Sequence, residues 1–275
     1  MSFKSMTHVL HGVSTVGSVG MVVDSGVGRI METSNQRVEI AVGADSMGGY
    51  LARPANDDGY PGVLLFMEVF GINRHIRAVV DRVAAEGYVV LAPDVFHRSG
   101  PGVELEYDAD GLSRGVDMMG QVGAGELIAD MKAAVEFLET REDVSGKGVG
   151  VMGFCFGGHA AYLAACELPV KAAVSFYGGG VATAAPGNEG LPTVERSGSI
   201  TGSILCLFGE NDTYIPADNV ATVREALANA DVDHEVVVYD GVGHGFFCDE
   251  RPDYDKDSAD DAWARLTTLF ADKLA

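Results

Sequence analysis

Two hydrophobic rhythms alternate along the chain. Short runs in which most positions are apolar, at 62–67, 88–92, 148–152, 170–175, 203–208 and 235–239, have the pattern of strands buried on both faces. Helical spacing is clearest over 72–86. There Ile72, Ile76, Val79, Val80 and Val83 recur at one-turn intervals and Gly87 stops the pattern. Further helices are predicted over 122–138, after Gly157-Gly158, from Ile215-Pro216 to about residue 230, and from about residue 257 to 274. Ahead of these elements, 37–42 alternates apolar and polar residues. Residues 48–53 read as its hairpin partner, ended by Pro54.

Three stretches keep neither rhythm. Residues 1–35 are poorly patterned and read as an N-terminal extension or short hairpin. Residues 99–120, rich in Gly, Asp and Met, read as a surface excursion over a sheet edge and a candidate lid. Residues 181–199 read as loop. Strands alternating with helices predict an α/β fold: a mostly parallel, doubly wound sheet of about eight strands flanked by helices. No repeat or linker divides the chain, so 36–275 is expected to be a single domain.

Composition narrows the function. The net charge is −21, from 40 acidic and 19 basic residues, which argues against nucleic acid and anionic membranes as partners. An anionic substrate would be repelled at long range and would need a local cation. No apolar run approaches the ~20 residues of a membrane span, and residues 1–6 lack the apolar core of a signal peptide. The four cysteines (Cys155, Cys166, Cys206, Cys248) show no paired spacing, which predicts reduced thiols and a cytoplasmic location.

The chemistry concentrates at Gly153-Phe154-Cys155-Phe156-Gly157-Gly158, between an apolar strand and a small-residue helix. This is the strand–turn–helix pattern of a nucleophile elbow with cysteine at its tip. The helix N-terminus behind it favours a thiolate. A buried thiol beside a glycine turn would give the same hexapeptide. Two residues further along the chain favour the elbow: Asp212 and then His244, each just after a predicted strand, in the order nucleophile, acid, histidine. His244 would act as general base and Asp212 would orient it. A histidine in a structural glycine turn and an aspartate making an Asx turn are the competing readings. Glu210 and Asp240 are rival acids, less well placed. His159 is expected to pack or cap, and His75 to lie on a helix surface. His244 and Cys248 lack further ligands at metal spacing.

Backbone N–H groups of Val69 and Phe156 are the expected oxyanion donors, one from the turn after strand 62–67 and one following the nucleophile. Glu68 sits beside them. A carboxylate there would raise a neighbouring thiol's pKa. It could accept the S–H bond at rest and release the thiol to His244, or simply be a surface or salt-bridged glutamate.

With these residues in place, the chain resembles the dienelactone hydrolase (carboxymethylenebutenolidase) family of the α/β-hydrolase fold. The resemblance runs from about residue 48 to the C-terminus. It is carried by Glu68-Val69-Phe70-Gly71, Ala92-Pro93-Asp94 with Arg98, the Cys155 hexapeptide, Tyr177-Gly178-Gly179, Gly209-Glu210-Asn211-Asp212 and Gly243-His244-Gly245-Phe246. It implies a Cys155–Asp212–His244 triad, Glu68 as switch partner of the thiol, no metal or organic cofactor, and a small-molecule lactone or ester substrate. Arg98 matches an arginine that binds the substrate carboxylate, and Tyr177 is a further candidate contact. A second family arginine, four residues after the histidine, is here Cys248, which leaves Arg251 as the candidate replacement. The expected activity is hydrolysis of a lactone or activated ester through a thioester. A broader carboxylesterase or thioesterase, or a non-catalytic binding protein on the same fold, stays open.

Overall fold

The computed structural model describes residues 31–56 and 58–275. Eight strands form one sheet: β1 (Thr33–Val42), β2 (Asp45–Pro54), β3 (Tyr60–Phe66), β4 (Val89–Pro93), β5 (Val144–Phe154), β6 (Ala172–Phe176), β7 (Ser203–Gly209) and β8 (His234–Tyr239). Their order is β1-β2-β4-β3-β5-β6-β7-β8. The β1–β2 hairpin and its junction with β4 are antiparallel, and every later pairing is parallel. Every residue of β4, β6 and β7 is buried, which explains their unbroken apolar runs. Each fully buried Val, Leu, Ile or Phe there contributes roughly 1.5–3 kcal/mol.

Six helices cover this sheet: α1 (Arg74–Ala85), α2 (Ala109–Met119), α3 (Ala124–Glu139), α4 (Phe156–Glu167), α5 (Ala217–Asn229) and α6 (Lys256–Leu274). α1 meets α6 where Arg82 lies over the Trp263 ring at 3.7 Å, whereas α3 packs beside α4. The site's position is set by the strand order. β3 has β4 on one side and β5 on the other, so the chain reverses its direction of travel across the sheet around β3. Ligands of open α/β sheets bind at the carboxyl ends of strands where the order reverses. Glu68 and Val69 come directly after β3, and Cys155 directly after β5.

Three expectations change. The unpatterned stretch 99–120 contains α2, N-capped by Asp108, whose carboxylate accepts from Gly111 N–H at 2.7 Å. Gly111, Gly115 and the acidic residues between its few apolar positions hide the helical period. The stretch 181–199 holds two short 3-10 turns, Pro186–Asn188 and Thr193–Ser199. β1 begins at Thr33, inside the segment read as an extension, and residues 1–30 of that segment lie outside the described residues.

Candidate active site

Cys155 sits at the joint of β5 and α4 with φ 55° and ψ −116°, a conformation that costs a non-glycine residue about 1–3 kcal/mol. The surroundings hold it there. Its N–H donates to Phe176 O at 3.0 Å, and its carbonyl accepts from Gly158 N–H at 3.0 Å and His159 N–H at 3.2 Å. A Cβ on Gly157 would stand 2.2 Å from the Phe66 carbonyl oxygen. Only glycine lets α4 descend so close to the end of β3, and that approach brings the thiol beside the turn after β3.

His244 lies in the loop after β8, with its Nδ1 at 2.7 Å from Asp212 Oδ2. The other Asp212 oxygen, Oδ1, accepts from Tyr214 N–H at 2.9 Å. Asp212 therefore makes an Asx turn and orients the imidazole at once, and the two sequence readings are not exclusive. The Tyr177 and Tyr214 rings each contact the imidazole edge-on, with centroids 5.1 Å away. Cys155 and His244 line the same cavity.

Burial alone would pull the His244 imidazole down. The charge of a Cys155 thiolate, together with the Asp212 carboxylate, outweighs it and pushes the pKa up to about 10. The folded value thus lies above the ordinary one. The resulting stability is complete below about pH 6.5 and is lost as pH rises through about 10. Urea titrations from pH 6 to 10.5 should show this decline, and Cys155→Ala should flatten it because the thiolate is one of its causes. An identical decline in the variant would show that the thiol plays no part in it.

Glu68 is fully buried. Its Oε1 accepts from Arg251 Nη1 at 3.0 Å and its Oε2 from the Tyr107 hydroxyl at 2.7 Å. The thiol is not among these partners: both Glu68 oxygens are held by other side chains. Burial, followed by the Glu68 charge, raises the Tyr107 phenol, so it keeps its proton and donates. The same two causes push the Cys248 thiol up to about 12. Arg251 reaches Glu68 because the chain coils back through two turns, Cys248 N–H to Gly245 O and Arg251 N–H to Cys248 O, both 3.0 Å. Gly245 leaves the space for it: a Cβ there would meet the guanidinium carbon at 2.6 Å.

Two expected substrate contacts are corrected. Arg98 does not reach the cavity around Cys155. It forms a two-pronged ion pair with Asp130, at 2.7 and 2.8 Å, because that carboxylate is fully buried in α3 and needs a countercharge. Tyr177 is also completely buried, with φ 37° and no hydrogen-bond partner for its hydroxyl. It backs the His244 ring rather than the cavity. His75, expected on a surface, is buried beside Tyr107, Phe154 and Phe247. Tyr107 had no signal in the sequence; it lies in the unpatterned stretch and is positioned by Leu105 N–H pairing with Phe70 O at 2.9 Å.

Cys155, His244, Arg251, Val69 and Phe156 share one cavity of about 370 Å³. Among the described residues, neither the Val69 nor the Phe156 N–H has a protein acceptor outside the regular helices and strands. A second histidine also lines the cavity. His159 is held by burial at a pKa of about 4, with Nε2 at 2.6 Å from Thr193 Oγ1, so it is neutral and already engaged. One group outside the cavity has metal-compatible donors: His75, Asp249 and Glu250 bring ligand atoms within 4.8 Å of one another. Glu250 there is already paired with Arg74 at 3.0 Å.

An eight-stranded sheet in this order, with cysteine at the elbow after β5 and an Asp–His pair after β7 and β8, defines an α/β-hydrolase. The model of the "Dienelactone hydrolase family" matches residues 47–274, and the chain belongs to that family. A Synechocystis sp. protein provisionally named carboxymethylenebutenolidase is 39% identical over 240 residues, spanning 87% of this chain and 94% of the relative. A Salmonella typhimurium protein of the same provisional name is 35% identical over 229 residues, spanning 82% and 83% of the two chains. The crystal structure of a provisionally assigned dienelactone hydrolase from Klebsiella pneumoniae superposes with a TM-score of 0.76 at 32% identity, covering 86% of this chain and 98% of that one.

Proposed function

We propose that this hydrolase cleaves lactones or activated esters with Cys155 as nucleophile, through a thioester. The observation that carries the reading is that Cys155, at a strained elbow, and His244, held by Asp212 at 2.7 Å, line one cavity. His244 takes the thiol proton and the thiolate attacks the carbonyl carbon. The N–H groups of Val69 and Phe156 receive the developing oxyanion; losing one such donor costs about 100- to 1,000-fold. As the C–O bond breaks, the imidazolium protonates the leaving oxygen. His244 then deprotonates water, which attacks the thioester. The acid departs, and Cys155 leaves as thiolate and recovers its proton from His244. Four free cysteines support a reducing, cytoplasmic setting, and the net charge of −21 supports a small-molecule substrate over nucleic acid or membrane.

Turnover of 4-nitrophenyl acetate and of a dienelactone should fall at least about a thousandfold in Cys155→Ala. Retained turnover would sink the proposal.

One observation favours the broader esterase reading as well. Arg98 is spent on Asp130, and the Arg251 charge is cancelled by buried Glu68. A substrate carboxylate would have to displace Glu68 to gain a cation. On this second reading, neutral and carboxylated esters of equal leaving group give similar kcat/KM.

A further inference from the structure

α2 carries an apolar face that the chemistry above does not use. Leu112, Val116 and Met119 stand four and three residues apart, on one side of the helix, and cover ~10 Å along its axis at ~1.5 Å per residue. All three line the cavity that holds Cys155 and His244, as do Ala184, Ala185 and Pro186 of the loop after β6. Val116 is nevertheless 44% exposed, and Tyr214, which also lines the cavity, is 61% exposed. Contiguous apolar surface at the mouth of a cavity marks where a ligand covers it.

The helix is bound to the reaction centre rather than hinged over it. A Cβ on Gly115 would stand 2.3 Å from the Val69 carbonyl oxygen, so α2 rests backbone against backbone on the expected oxyanion turn. Tyr107, one residue before the N-cap Asp108, donates to Glu68 at 2.7 Å. These two attachments hold the apolar face at a fixed distance from the carbonyl under attack. They also set aside the reading of 99–120 as a free lid. Among the described residues lining the cavity, Arg251 is the one permanent cation, and Glu68 neutralises it.

We propose that α2 selects the substrate: its Leu112–Val116–Met119 face binds an unbranched aliphatic arm of about hexyl to octyl length. The preferred substrates are then medium-chain aliphatic esters, or lactones bearing such a chain. The inference rests on the ester-hydrolase reading and adds the substrate class to it. The arm belongs either to the acyl group or to the leaving alcohol, which place the same apolar chemistry on the same wall.

The test is two chain-length series with purified full-length protein: 4-nitrophenyl acetate to octanoate for the acyl side, and ethyl to octyl acetate for the alcohol side. Each methylene that reaches the wall should raise kcat/KM about fourfold, as burial of one CH₂ predicts, until the arm outruns it. A rise in either series supports the proposal and assigns the arm. Val116→Asp places a carboxylate on the wall at a position exposed enough for the helix to tolerate it, and should flatten the rising series. Leu112→Ala should lower its slope. A flat or falling dependence in both wild-type series overturns the proposal without reference to any variant, as does an unchanged slope in both variants. Failure of the underlying reading looks different: acetate turnover would then survive Cys155→Ala.

Discussion

Asp212→Asn should lower kcat on 4-nitrophenyl esters by about 10⁴-fold with the fold intact. The size of the effect depends on which oxygen is replaced. Oδ1 accepts from Tyr214 N–H, so the asparagine carbonyl must occupy that place, since an amide N–H₂ cannot accept. The new N–H₂ group then faces His244 Nδ1, where Oδ2 stood at 2.7 Å. It donates to Nδ1 and forces the imidazole proton onto the nitrogen that should receive the thiol's. The wrong tautomer, with geometry otherwise preserved, is what makes the equivalent change in serine triads cost about 10⁴. The substitution also removes one of the charges that raise the imidazole, so His244 should titrate below about 10. A pH–rate profile whose basic limb moves down, alongside an unchanged circular dichroism spectrum, separates this from unfolding. A loss under tenfold would mean that Asp212 only builds its turn.

The second large effect is on stability. Arg251→Met should destabilise the protein by about 3–5 kcal/mol, the cost of stranding one member of a buried pair. Glu68 has no exposure to water and would retain only the neutral Tyr107 hydroxyl as donor. Glu68→Gln combined with Arg251→Met should recover most of the loss, because no buried charge is left unpaired. Urea unfolding of both singles and the double variant completes a mutant cycle. If the double variant is as unstable as the sum of the singles, the two residues do not act as a pair.

Much of the candidate site is legible in the chain, for reasons that can be named. An elbow needs glycines at fixed offsets around its tip, so Gly153-Phe154-Cys155-Phe156-Gly157 records a three-dimensional constraint in five adjacent letters. The central parallel strands are buried on both faces, so β3, β4 and β7 stand out as apolar runs, whereas the edge strand β8 is only partly buried. Asp212 and His244 come directly after such runs. The pairings made by long side chains left no comparable trace. That Arg98 turns to Asp130, and not into the cavity, depends on where α3 lies. That Arg251 turns to Glu68 depends on two turns and on the space above Gly245. α2 escaped because its apolar face is narrow and interrupted by glycine, and Gly115 is there for contact with Val69, not for helix propensity.

The engagement of His159 has a kinetic consequence. Among the described residues two imidazoles line the cavity, and one of them is neutral and tied to Thr193. On the proposed mechanism His244 then serves both half-reactions, returning one proton to the departing alcohol and drawing the next from water. Acylation needs the imidazole's proton for the leaving oxygen and should fade on the basic side, whereas deacylation needs the imidazole neutral and should fade on the acid side. The thioester also removes the Cys155 charge that raises His244, so exchanging a fast leaving group for a slow one, which changes the limiting half-reaction, should move the rate profile along the pH axis.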